Sequence, residues 1–264
     1  MDIDGFLAAL RVAGRSEATC RSYRQDLLRW DRCGGDPAAY LGGAPASRAR
    51  RYSSLQAYWR WAEAQELGPG PFPLATIPHP RVDLPPPRAL PEADEARLAA
   101  TVRGLSLTWR TLFTLALDAG LRAGELTGLR VRDLEWTPGS EGLRVLGKGG
   151  KWREVPLLPG MACRPLLRRL AAGKPGEAFL FPGRGGGPLT VRAVEKRFAA
   201  LCQAAGITEA RVHDLRHTCA TRLVNKGTDI LAVQRLLGHS SVQTTQRYGR
   251  LRDREYRRAL EGGR

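Results

Sequence analysis

Nine of the eighteen prolines in this 264-residue chain fall between Pro69 and Pro91, with the triplet Pro85-Pro86-Pro87 near the end of the stretch. Proline has no amide hydrogen to donate and pushes its predecessor into extended conformations, so no helix or central strand can run through such a segment. The stretch reads as a linker, fronted by Gly68 and Gly70. The chain is therefore expected to fold as two parts: a helical domain over residues 1–84, its linker starting near residue 68, and a second domain over residues 85–264. Both are long enough to bury a core.

The patterns on either side differ. In the first part, Ser16 is placed to cap a helix through Tyr23, Leu27 and Leu28 towards Trp30, and a second helix is expected from about Ser47 to Ala64, with Leu55, Tyr58 and Trp61 at helical spacing. Arg21, Arg24, Arg50, Arg51 and Arg60 lie among these aromatics, a pattern that suits either a grip on a DNA backbone or plain amphipathic packing. The second part opens with helices from Glu92 and from about Thr108 to Ala119, the latter stopped by Gly120. A hairpin follows: Leu143 to Leu146, the turn Gly147-Lys148-Gly149-Gly150, then Trp152 to Leu157. Beyond it helices dominate, interrupted by a glycine-rich loop at 183–187. The fold class expected is mainly α, with one small antiparallel β-sheet in the second domain.

Composition narrows the partners. An apolar fraction of 42% and a charged fraction of 26% fit a globular chain. No apolar run approaches the ~18 residues of a membrane helix, and the start Met1-Asp2-Ile3-Asp4 is unlike a secretory leader, so a cytoplasmic protein without a membrane partner is expected. Five scattered cysteines with no C-x-x-C point to reduced core thiols. The net charge is +16, and residues 184–264 alone hold sixteen basic against seven acidic side chains. Such a surplus suggests a polyanion, since phosphate contacts release counterions and drive association.

Three distant segments carry chemistry. In Ala119-Gly120-Leu121-Arg122-Ala123-Gly124-Glu125, Arg122 sits between a helix stop and a new helix, and Glu125 can reach back to its guanidinium. Taken alone, this is also what a surface Arg–Glu pair looks like. In His213-Asp214-Leu215-Arg216-His217, residues 213, 216 and 217 share a helix face beside a stripe of Leu215, Cys219 and Leu223. The bland reading there is a half-buried polar edge. The third segment is Gly238-His239 with Tyr248 nine residues on, and Tyr248 by itself would pass for a packing residue. Together, two arginines, two or three histidines and a tyrosine describe a metal-free phosphoryl-transfer site. The phenol attacks, the guanidiniums neutralise growing charge, and the imidazoles donate hydrogen bonds or move protons.

The constellation Arg122, Lys148, His213, Arg216, His239, Tyr248 resembles the R…K…H-x-x-R…H…Y signature of the tyrosine recombinase (phage integrase) family. The likeness spans residues 92–264 and is looser over residues 1–80, which are compatible with that family's core-binding domain. Spacing and the turn Gly147-Lys148-Gly149-Gly150-Lys151 look most like the Xer subgroup, whose tasks are chromosome dimer resolution or mobile-element integration and excision. The resemblance implies cleavage of duplex DNA through a 3′-phosphotyrosyl enzyme on Tyr248, with no metal or other cofactor. Arg122, Arg216 and His239 would clamp the phosphate and His213 would carry a proton. It also implies four protomers on two duplexes, as a homotetramer or with a second recombinase. No arm-site domain is expected ahead of residue 1, so a large phage-type integrase is the disfavoured expectation.

Lys148 stands out independently, because the chain has 37 arginines and only five lysines, none before residue 148. Lysine can be tuned to release a proton and arginine cannot. The resemblance assigns Lys148 protonation of the departing 5′-oxygen; an exposed lysine touching phosphate is the plainer alternative. Gly142 to Lys148 mimics a P-loop, but Gly149 stands where Ser or Thr would be needed. His213 and His217 lack the glutamate of H-E-x-x-H. Rival functions are a type IB topoisomerase-like relaxing enzyme, a DNA-binding protein with a decayed site, and a metal-dependent nuclease.

Overall fold

The computed structural model of the chain describes residues 1–68, 70–82, 88–147 and 150–238. Pro69, the triplet 85–87, Lys148, Gly149, His239, Tyr248 and the segment Leu251 to Leu260 lie outside the described residues. The chain divides into two compact units, Met1–Pro85 and Pro86–Arg264. Among the described residues there are eleven α-helices and one three-stranded antiparallel sheet, the mainly α architecture expected. No helix among them is long and apolar enough to cross a membrane.

The first unit holds α1 (Ile3–Val12), α2 (Glu17–Arg32), α3 (Pro37–Tyr40) and α4 (Pro45–Ala64). Ser16 caps α2 by accepting the Thr19 amide at 3.2 Å. Neither α1 nor α3 was expected. The four residues of α3 are too few to show a period, and Asp36 starts this turn by accepting the Ala38 and Ala39 amides. The aromatics form the core: Phe6, Trp30, Tyr40, Tyr52 and Tyr58 are buried, with Phe6 and Tyr58 edge to face at 5.5 Å. The aromatics of the pattern are thus packing residues, while the arginines among them divide between internal partners and the surface. Arg50 pairs with the buried Asp26, and Arg51 donates to the carbonyls of Tyr40 and Gly42, while Arg21 and Arg60 stay exposed.

The second unit runs α5 (Glu92–Arg103), α6 (Leu107–Ala119), α7 (Ala123–Gly128), β1 (Leu134–Glu135), β2 (Gly142–Leu146), β3 (Trp152–Pro156), α8 (Cys163–Ala171), α9 (Val191–Ala204), α10 (Val212–Asn225) and α11 (Ile230–Leu237). The hairpin pairs Leu143 with Val155 and Leu146 with Trp152. Alternation sends Leu143, Val145 and Val155 into the core and leaves Leu146 and Trp152 outside. The two-residue β1, which pairs Leu134 with Leu143, is too short to have been seen in the sequence. Helix α6 lies against both α8 and α10, and Leu112, Phe113, Leu115 and Ala116 are buried there. Cys20, Cys163, Cys202 and Cys219 are buried free thiols, and burial pushes Cys202 up to about 11 and Cys219 up to about 12.

Gly120 ends α6 in the left-handed region, at φ +63°. A Cβ there would lie 2.6 Å from Leu237 Cδ2 and 3.2 Å from Cys219 Sγ. Only glycine relieves both the backbone strain and the overlap. Gly120→Ala is expected to destabilise the protein by about 2 kcal/mol or more, read as a lower midpoint in urea unfolding. An unchanged midpoint would show that the α6–α11 contact yields freely.

Candidate functional site

The break between α6 and α7 releases one arginine from a helix face. Arg122 is the residue before α7, extended at φ −71° and ψ 151°. Glu125, three residues on, accepts the Arg122 amide at 2.9 Å with one oxygen and Arg122 Nη1 at 2.7 Å with the other. The Arg122 side chain is 32% exposed, and its Nη2 donates to the carbonyl of Gly238 at 3.3 Å. The expected Arg–Glu contact exists, but it sits at a junction rather than on an outer helix surface.

Helix α10 supplies the second arginine. Asp214 accepts the Arg211 amide at 2.8 Å and so closes the start of the helix. Arg216 is 1% exposed. Its Nη1 donates to the Gly120 carbonyl at 2.7 Å and its Nη2 to the Leu237 carbonyl at 2.5 Å. These are terminal carbonyls of α6 and α11, where the helix dipoles concentrate negative charge and no intrahelical donor remains. Residues 213, 216 and 217 do not present one equivalent face. Arg216 points into the protein, His213 is exposed, and His217 is half-buried with its ring edge to face on His213 at 4.6 Å.

His213 borders a cavity of about 380 Å³ together with Arg122, Glu195 and Arg211, over an apolar floor that includes Leu121 and Phe198. Partial desolvation lowers its pKa below the ordinary value of 6.5, and the charges of Arg216 and Arg122 lower it further, against an opposing pull from Asp214. The imidazole is therefore neutral near pH 7.

Sequence reasoning missed a third arginine. Arg153 on β3 holds Glu125 with both Nη groups, at 2.8 and 2.9 Å, and donates from Nε to the Leu236 carbonyl at 2.9 Å. Its side chain is 12% exposed. The signal was its parity: Arg153 shares a strand face with the buried Val155, and a charge at an inward register position needs a partner. Burial pushes the Glu125 carboxyl up, but hydrogen bonds from Arg153 and the Arg122 amide, with the charge of Arg153, bring it below the usual carboxylate range.

Of the six residues singled out in the sequence, Arg122, His213 and Arg216 are described and come together. Arg122 and Arg216 also hold Gly238 and Leu237, the last two described residues before His239. Lys148, His239 and Tyr248 lie outside the described residues, although Gly147, next to Lys148 in sequence, is described. A Cβ built on it would be 3.4 Å from Arg153 Nη1 and 3.9 Å from Glu125 Oε1. A half-exposed guanidinium and a neutral imidazole on one opening, backed by the buried guanidinium of Arg216, suit a bound anion and a proton acceptor beside it.

Comparison with known proteins gives the family and the fold. Residues 88–255 match the model of the phage integrase family. The tyrosine recombinase XerC of Rhodospirillum centenum is 37% identical over 267 residues, covering 89% of this chain and 78% of that protein. Among solved structures, XerH bound to a palindromic difH substrate, a post-cleavage complex, aligns with a TM-score of 0.73 at 22% identity over 91% of this chain and 78% of that one. A lambda integrase tetramer bound to a Holliday junction aligns with a TM-score of 0.71 at 20% identity, over 90% of this chain and 76% of that one. At these identities the two structures speak for the fold.

The His213 environment has a measurable consequence. Its titration midpoint, followed by NMR, is expected below 6.5 and should move up towards 6.5 in Arg122→Gln, where one repelling charge is gone. Because the folded pKa is the lower one, the unfolded chain takes up this proton first as pH falls. The stability tied to His213 is thus complete above 6.5 and is lost as pH drops towards the folded value. A midpoint above 6.5 would contradict the stated electrostatics.

Proposed function

Belonging to the phage integrase family, the chain is a tyrosine-type site-specific recombinase, and we propose that it works on duplex DNA through Tyr248. The Tyr248 oxygen attacks the scissile phosphorus, a new P–O bond forms to the phenol, and the bond to the 5′-oxygen breaks. The product is a 3′-phosphotyrosyl enzyme and a free 5′-hydroxyl. A 5′-hydroxyl from a partner duplex then attacks the same phosphorus and expels the phenol, so the bond energy is kept within the protein–DNA adduct. The observation that carries this reading is that Arg122 and His213 border one opening, while Arg122 and the buried Arg216 both hold the segment that leads to His239.

The roles follow from the chemistry of each side chain. Arg122 offers charge from a partly open position, and the buried Arg216 adds a second, fixed charge while it holds the ends of α6 and α11. Charge growing on the phosphorane is stabilised most where the compensating groups are already fixed and desolvated. Removing the Arg122 side chain should cost about 3 kcal/mol of transition-state stabilisation, by analogy with deleted oxyanion donors. Neutral His213 accepts the phenolic proton, and His239 donates to a phosphate oxygen. Lys148 gives a proton to the departing 5′-oxygen, which arginine could not do at neutral pH.

Residues 1–84 serve as the core-binding domain and residues 85–264 as the catalytic one. The DNA-bound assemblies of related fold support DNA as the partner and an oligomer as the working form. The finer assignment is four protomers on two duplexes, either all of this chain or with a second recombinase, in a Xer-type exchange.

On a nicked suicide duplex the wild-type protein should form a covalent adduct whose labelled peptide contains Tyr248. Tyr248→Phe should bind the duplex and form no adduct. An adduct retained in that variant, or mapped to Tyr256, would remove Tyr248 from the reaction.

A further inference from the structure

Among the described residues, Arg153 is a buried cation on Glu125 to which the proposed chemistry assigns no task. Its guanidinium makes a two-pronged contact with the Glu125 carboxylate while its Nε reaches the last turn of α11 at Leu236. One side chain therefore ties three elements: β3, the start of α7 and the end of α11. Two glycines close over it. A Cβ on Gly238 would fall 2.9 Å from Arg153 Cδ, and one on Gly147 would fall 3.4 Å from Arg153 Nη1. Gly147 also closes the hairpin end by donating its amide to the Lys151 carbonyl at 2.8 Å. In sequence, Gly147 precedes Lys148 and Gly238 precedes His239.

We infer that Arg153 is a positioning residue for leaving-group protonation: by gripping Glu125 and Leu236 together, it fixes β3 and Gly147, the residue before Lys148 in sequence, against the start of α7 beside Arg122. The inference rests on the reading of Lys148 as the proton donor. The geometry explains why the residue is arginine. Its planar fork meets both carboxylate oxygens and leaves Nε aimed at a carbonyl in another direction, whereas a lysine ammonium is a single point charge. A reacting group displaced by about 1 Å can lose on the order of 100-fold in rate, so the turn needs no large movement to matter.

The decisive experiment compares two leaving groups on suicide duplexes with the full-length protein. In one, the scissile bond has its natural 5′-oxygen; in the other, sulfur replaces that bridging oxygen. Cleavage forms the same phosphotyrosine in both, but the sulfur departs as a thiolate whose conjugate acid has a pKa of about 8.5, so it needs no proton from the enzyme. Arg153→Met should lower cleavage of the oxygen duplex by about 100-fold, leave duplex binding unchanged, and recover to near the parent rate on the sulfur duplex. Arg153→Lys keeps a cation for the buried carboxylate, so it answers the question if the Met variant fails to fold. It should be intermediate on oxygen and normal on sulfur.

Lys148→Ala separates the two layers of the inference. If sulfur does not rescue Lys148→Ala, the proton-donor reading itself fails, and the role of Arg153 falls with it. If sulfur rescues Lys148→Ala but leaves the Arg153 variants as slow as on oxygen, Arg153 merely supports the fold and the inference is overturned. Oxygen-duplex cleavage within about twofold of the parent in a folded Arg153→Met would overturn it as well.

Discussion

Two helices of the second unit end against a single guanidinium. Arg216, with almost no exposure, takes the Gly120 carbonyl of α6 and the Leu237 carbonyl of α11. Burying a charge is costly unless its donors are matched, and helix C-termini supply unpaired acceptors with the right sign of dipole. The arrangement brings together two chain breaks more than a hundred residues apart in sequence, one leading into Arg122 and the other into His239. Gly120 is needed at that meeting point, since its left-handed backbone both stops α6 and leaves room for Leu237.

Around this anchor, charge is organised unevenly. One carboxylate, Glu125, faces Arg122 and Arg153, and Arg216 is held by carbonyl dipoles. Burial first, and then the charges of Arg216 and Arg122, keep His213 unprotonated against the opposing pull of Asp214. A fixed cationic frame beside a neutral imidazole suits the proposed attack on a phosphodiester: charge stabilisation that requires no reorganisation, and a base that is free to accept a proton.

How much of this could be read from the sequence depends on the range of the interactions. Ser16, Gly120 and the hairpin turn are local devices, and the helices and strands they delimit were placed within a few residues. The Arg122–Glu125 contact spans three residues and was legible for the same reason. The depth of Arg216 was not, because burial is decided by Gly120 and Leu237 arriving from elsewhere in the chain. Arg153 was overlooked although strand alternation marked it as inward, since its partners Glu125 and Leu236 lie 28 and 83 residues away. In the first unit, arginines among aromatics suited either a surface grip or packing, and sequence spacing could not show that Arg50 and Arg51 have partners on other elements.

Whether the half-exposed guanidinium at residue 122 works by neutralising phosphate charge can be measured directly. A suicide duplex with a methylphosphonate at the scissile position carries no negative charge there, so the service attributed to Arg122 is no longer required. The rate deficit of Arg122→Ala relative to the parent protein should then shrink to a small fraction of its value on the ordinary phosphodiester. A deficit that stays equally large on the neutral substrate would contradict the claim that charge at this junction drives the reaction.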